Sequence, residues 1–119
     1  MDGEDNVIVV KSFDFAVRIV KLYKYLVENK QEKVLSKQIL RSGTSVGANI
    51  EEAQGAQSKA DFFTKISISY KEARETAYWL RLLNAANYLS DNEFKSIYDD
   101  CQEILNILSS IKISSQSSK

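Results

Sequence analysis

The sequence predicts an all-α protein, an antiparallel up-down-up-down four-helix bundle. Composition and pattern both lead there. The chain has 119 residues with no proline and only four glycines, so long stretches run without a turn residue. Those stretches carry apolar residues at alternating spacings of three and four, the mark of one helical face. Three short polar segments interrupt the pattern, and amphipathic helices joined by short connections fold back on one another. A chain of this length forms one domain whose core needs no metal or disulfide. The expected division is an N-terminal arm over residues 1–11, the bundle over 12–113 and a disordered tail over 114–119.

Residues 2–6 read as a loose acidic start and 7–10 as an apolar run, either strand or arm. Ser12 is the expected N-cap of a first helix running to about Lys30. Phe15, Ile19, Leu22, Tyr23 and Leu26 form its apolar face, widened by Ala16, Val20 and Val27. A polar turn precedes a second helix over about 34–57. Asp61 is the expected cap of a third helix that reaches about residue 88, with Phe62, Ile66, Ser69, Ala73, Thr76, Leu80 and Leu83 on one face. Ser90 or Asp91 caps the fourth, with Glu93 in its first turn and Phe94, Ile97, Cys101, Ile104, Leu108 and Ile111 inward. Ser114 opens the serine-rich tail.

The second helix is unusual, because two glycines, Gly43 and Gly47, lie on its core face with Ile39, Val46, Ile50 and Ala53. Each costs about 1 kcal/mol against alanine. Close approach of a neighbouring helix is the simplest offset, with Tyr70 or Tyr78 filling the space. A phosphate loop is excluded, since no lysine follows the glycines and no strand precedes them. The opposite side, Arg41, Thr44, Ser45, Ala48, Glu52, Gly55 and Ala56 bordered by Asn49 and Ser42, is mostly small and suits a partner helix, with Arg41 and Glu52 pairing across the contact. The bland alternative is a surface whose hydroxyls bond back to the i−4 carbonyls.

The third helix has a second apolar strip, Ile68, Trp79 and Leu82, bordered by Glu72 and Glu75. A helix apolar on two sides is central or buried in an assembly, and Trp79 is the natural anchor. The two carboxylates need partners there, from Arg41, Arg18 or Lys65. The expected oligomer interface is therefore Arg41, Ser45, Ala48, Asn49, Glu52, Ile68, Glu72, Glu75, Trp79 and Leu82. Lys71, Arg74, Tyr78 and Arg81 form a separate basic and aromatic stripe, either a solvated face or a nucleic-acid contact.

Sixteen basic residues balance sixteen acidic ones, without the excess that phosphate binding usually brings. With no histidine, the commonest acid–base group and metal ligand is missing. A di-iron site built from Glu51, Glu52, Glu72 and Glu75 fails for the same reason. Ser42, Thr44 and Ser45 lack an activating base, and Cys101 on an apolar face is inert. No catalytic residue, metal or cofactor is expected. A lone cysteine, an acidic N-terminus and no membrane-length apolar run suggest a cytoplasmic protein without a membrane partner.

Three segments carry a resemblance. They are residues 35–53 with Arg41-Ser42-Gly43-Thr44-Ser45, the run Ser58-Lys59-Ala60-Asp61-Phe62, and residues 71–80 with Glu75-Thr76-Ala77-Tyr78-Trp79. They resemble the bacterial four-helix-bundle proteins encoded in intervening sequences of large-subunit ribosomal RNA genes, over about residues 13–108. The resemblance implies an antiparallel bundle that assembles into a ring-like homopentamer. It also implies kinship with accessory proteins of diversity-generating retroelements, which bind a reverse transcriptase and nucleic acid through a basic surface. The matching positions belong to the fold and assembly pattern and to no catalytic site. The expected function is a non-enzymatic homo-oligomeric scaffold associated with RNA or a nucleic-acid-processing partner. The rival is a nucleic-acid-binding module using the helix-three stripe.

Overall fold

The computed structural model describes the backbone of residues 4–117 and the side chains of residues 7–116. Four helices make it up: α1 (Glu4–Lys30), α2 (Leu35–Gln54), α3 (Lys59–Ala85) and α4 (Asp91–Ser117). Connections of four or five residues leave each helix antiparallel to the one before. Cross-helix contacts fix the register. Lys11 pairs with Glu103 and Arg18 with Asp100, so α1 and α4 also run antiparallel. Each helix packs on two others, and among the described residues no diagonal pair packs closely. The bundle measures 47 × 21 × 19 Å.

The core follows from the spacing. Ile8, Phe15, Ile19 and Leu26 of α1 meet Ile39, Val46 and Ile50 of α2, Ile66, Leu80 and Leu83 of α3, and Ile104 and Leu108 of α4. Each such buried side chain contributes about 1.5–3 kcal/mol. Between α2 and α3 the seam is polar. The hydroxyls of Ser42 and Thr76 lie 2.8 Å apart, and Ser69 donates to the Val46 carbonyl at 2.8 Å. These buried groups are satisfied and hold the two helices in one register.

Four expected boundaries are corrected. The arm is helical from Glu4, and Ile8 is fully buried on the same face as Phe15 and Ile19. Ser12 is buried mid-helix and donates to the Val9 carbonyl at 3.2 Å instead of capping. At the other end α4 runs through the serine-rich stretch to Ser117, because Ile111 is still buried in the core. Residues 1–3 and 118–119, the ends of the expected arm and tail, lie outside the described residues.

The third correction concerns α2, which is shorter than 34–57 and is started by Glu32 from the preceding turn. Its carboxylate accepts from the N–H groups of Val34, Leu35 and Ser36 at 3.1, 3.0 and 2.7 Å. Burial alone would raise its pKa, but those backbone donors hold it below the ordinary carboxylate value. The fourth concerns α3. Its cap is Ser58, whose hydroxyl accepts from Asp61 N–H at 3.0 Å, while Asp61 accepts from Gln57 N–H. It stops at Ala85, where Asn87 turns left-handed (φ 67) and Tyr88 N–H reaches the Leu83 carbonyl at 2.9 Å. Before α4, Ser90 and Glu93 satisfy each other's N–H groups at 2.8 and 3.2 Å, the capping pair expected.

Gly43 and Gly47 are buried, as the periodicity required. Their close neighbour is α1. A Cβ on Gly43 would stand 2.7–3.0 Å from the Ile19 side chain, and one on Gly47 would stand 3.3 Å from the Ser12 carbonyl oxygen. Tyr70 and Tyr78 do not fill this space, because α3 lies on the other side of α2.

Candidate assembly and binding surfaces

The expected interface residues form one surface, the outward side of α2 and the adjoining edge of α3. Arg41 bridges the helices, donating to Glu72 at 3.2 Å and to Glu75, which also accepts from the Trp79 indole N–H at 2.9 Å. The Trp79 bond first, and Arg41 next, keep the Glu75 carboxyl below its ordinary pKa. Glu75 in turn raises that of Arg41. The carboxylates thus find their partner inside the chain. Glu52 pairs with Lys65 at 2.8 Å, so within the chain Arg41 and Glu52 each have other partners.

The outward hydroxyls are engaged locally. Thr44 donates to the Leu40 carbonyl and Ser45 to the Arg41 carbonyl, both at 2.7 Å. Asn49 donates to the Ser45 carbonyl at 2.9 Å, and Ala48 is exposed. Trp79 and Leu82 are half-buried, and Ile68 is at the margin of exposure. The surface is therefore low-profile, with its polar groups tied down and a flat apolar component.

Sequence reasoning missed a second apolar surface. Val10, Phe13, Val17 and Val20 project from α1 away from the core, with exposures of 60, 66, 40 and 39%. Their spacing of three, four and three makes them successive neighbours on one helical face. Val20 belongs here and not to the inward face. Phe13 leans toward α2 over a shallow depression of about 210 Å³ shared with Ala16, Thr44 and Ala48. The apolar stripe therefore continues into the small-residue side of α2. Reading α1 for a second periodic face would have found it.

On α3 the basic stripe divides. Lys71, Arg74, Tyr78 and Arg81 are all exposed, as expected. Only Arg74 and Arg81 line the groove between α3 and α4. Tyr78 sits edge-on to Trp79 at 5.1 Å, with the Arg81 guanidinium 5.9 Å from its ring. Cys101 is buried and donates to the Ala73 carbonyl at 3.4 Å, and burial with nearby Asp100 pushes its thiol up to about 12. Among the described residues no cluster of His, Cys, Asp or Glu could hold a metal ion, and no helix is long and apolar enough to cross a membrane.

A crystal structure of a protein with unknown function from the S23 ribosomal protein family of Bacteroides thetaiotaomicron VPI-5482 is similar to this chain. It is 55% identical, with a TM-score of 0.91, over 92% of this chain and 98% of that one. No curated protein is significantly similar. The family model of the 23S rRNA-intervening sequence protein matches residues 4–110, the span of all three connections and nearly all four helices. The chain belongs to the family of 23S rRNA-intervening sequence proteins.

Proposed function

We propose that this protein is a non-enzymatic scaffold that assembles with copies of itself and, in the reducing cytoplasm, serves RNA or a nucleic-acid-processing partner. The carrying observation is the outward stripe of α1. Four large apolar side chains in a row, opposite an equally apolar inner face, are more than a solitary bundle needs to expose. The low surface around Ile68 and Trp79 lies farther round the bundle, on α3, while Ala48 of α2 borders the stripe itself. Contact between two different surfaces is head-to-tail, and such contacts form rings where the rotation between copies closes. The resemblance to the family's ring-like homopentamers suggests the size. Nucleophilic atoms in structural use, the Cys101 thiol and the Thr44 and Ser45 hydroxyls, support a non-enzymatic role.

Sedimentation velocity tests the assembly. A ring is expected at micromolar protein, and Val10→Asp with Phe13→Asp is expected to break it into folded monomers. Trp79→Ala is expected to shift it toward smaller species. A wild-type monomer at that concentration overturns the proposal.

A second reading, nucleic-acid contact through Lys71, Arg74, Tyr78 and Arg81, is favoured by one observation. None of the three cations forms an ion pair among the described residues. Binding to mixed RNA and DNA should weaken as salt rises, and salt-independent binding rules out a phosphate-driven mode.

A further inference from the structure

The groove between α3 and α4 has a composition unlike the rest of the surface. It encloses about 330 Å³, and no acidic residue lines it. The chain has four arginines. Arg18 and Arg41 are held in ion pairs across helix seams. Arg74 and Arg81 both line this groove, and neither pairs with a carboxylate among the described residues. They stand two helical turns apart on one wall, about 10 Å along the axis. In a chain of zero net charge, free guanidinium groups have been gathered here.

The rest of the groove is aromatic and amide. Tyr70 and Tyr98 line it from opposite helices, and Gln102 and Asn106 line the wall facing the arginines. Lys112 lies over the Tyr70 ring at 4.6 Å and adds a third cation beside it. Tyr98 is stacked on Phe94 at 4.7 Å, which holds its ring in place. Ala77, between the two arginines in sequence, is small and leaves the floor open.

We infer that this groove is a binding site for a nucleoside phosphate, either free or as a unit of a single strand. Guanidinium forks match phosphate oxygens. Tyrosine rings offer a stacking surface for a base, worth about 1–3 kcal/mol per base in single-strand binders. Side-chain amides both donate and accept, which suits the edge of a base. An acidic peptide would use the cations and leave the rings and amides without a role. The inference rests on the second reading above but moves the site from the outward stripe to the groove, where α4 supplies half of it.

The test uses the full chain and measures binding of three probes: the four nucleoside 5′-monophosphates, a short labelled single-stranded RNA of mixed sequence, and polyglutamate. Arg74→Gln with Arg81→Gln should weaken RNA binding about tenfold or more and lower the salt slope by about two. Asn106→Asp places a negative charge in the groove at an exposed position and should also weaken binding. Lys33→Gln, in the exposed α1–α2 connection, should leave it unchanged. If monophosphates bind and show the same losses, the source is a free nucleotide; binding of RNA alone assigns a strand. No binding of either nucleotide probe overturns the groove and the stripe together. A loss with Lys71→Gln and with the Arg74 and Arg81 variants but none with Asn106→Asp keeps the stripe and overturns the groove. Polyglutamate binding as tightly as RNA, with the same losses, overturns the nucleotide assignment.

Discussion

The two faces of α1 are built from the same kind of residue and have opposite fates. Inward, Ile8, Phe15, Ile19 and Leu26 are closed off completely or nearly so. Outward, Val10, Phe13, Val17 and Val20 are exposed. Spacing alone does not separate them, since both sets recur at three and four. What differs is the surface opposite. The inner face meets a helix whose glycines let it come close, and the outer face is left exposed, with only Phe13 leaning toward α2. A helix apolar on both sides is an interior helix, and under the proposed assembly the second interior would be made by another copy.

The inner face is the easier to break. Gly43→Ala gains about 1 kcal/mol of helix propensity, but its methyl meets two branched carbons of fully buried Ile19 at 2.7 and 2.8 Å. Overpacking of this kind costs about 1–3 kcal/mol. Net destabilisation of about 1 kcal/mol is expected in urea unfolding. Ile19→Ala should then cost less in the Gly43→Ala background than alone. Gly47→Ala is the internal control. Its Cβ would meet a carbonyl oxygen at 3.3 Å, which a small shift relieves, so the propensity gain should leave stability near wild type. Equal losses at both glycines would mean that α1 does not depend on Ile19 seating against Gly43.

The turn that brings α1 back along α2 is expected to respond to pH. Gln31 is left-handed (φ 57), and Glu32 then caps α2 with three backbone bonds. Glu32→Gln keeps an acceptor but loses its charge, with an expected cost of about 1 kcal/mol at neutral pH. The folded pKa lies below the ordinary 4.5, so the contribution is present above that value. It disappears as pH falls through the lower folded value. Wild type and variant should therefore converge in stability at low pH, and a constant gap across the range would show that charge is not what Glu32 supplies.

The α2–α3 edge is the control for the outer face, because its apolar element is already fastened within the chain. Trp79 is the sole tryptophan, and its indole donates to a Glu75 held below the ordinary 4.5. Its emission should change as pH falls past that point, at a midpoint lower than 4.5, and Glu75→Gln should abolish the step. A midpoint at or above 4.5 would mean that the indole and Arg41 do not hold the carboxylate.

How legible was this in the sequence? The four helices and the inward glycines were, because core faces repeat over many turns and no proline or β-pattern competes. The start of α1 was not. With apolar residues on both faces, residues 7–10 show no polar side, and Ser12 mimics a cap while bonding back into its own helix. The cap of α2 was hidden because Glu32 acts from outside the helix, where propensity favours Ser, Thr, Asp or Asn at the boundary. The residues expected at an interface do share one surface of α2 and α3, yet the partners of Arg41 and Glu52 within the chain depend on the α2–α3 register, which spacing within one helix cannot give. The groove needed Tyr98, Gln102 and Asn106, which lie on a different helix from the arginines and share no motif with them.

The smallest effect on the fold is expected on the outer face of α1, and that is what makes it the sharpest comparison. Val17 is 40% exposed, is not among the residues packed against the core and occupies a mid-helix position where lysine is a better helix former than valine. Val17→Lys should leave the unfolding free energy of the monomer within about 0.5 kcal/mol. In an assembly the same lysine would be buried against apolar surface, where a charge without a partner costs far more than a valine contributes. Dissociation with unchanged monomer stability would therefore locate an interface on this stripe. Dissociation together with a loss of monomer stability would show instead that the outer face supports the bundle itself.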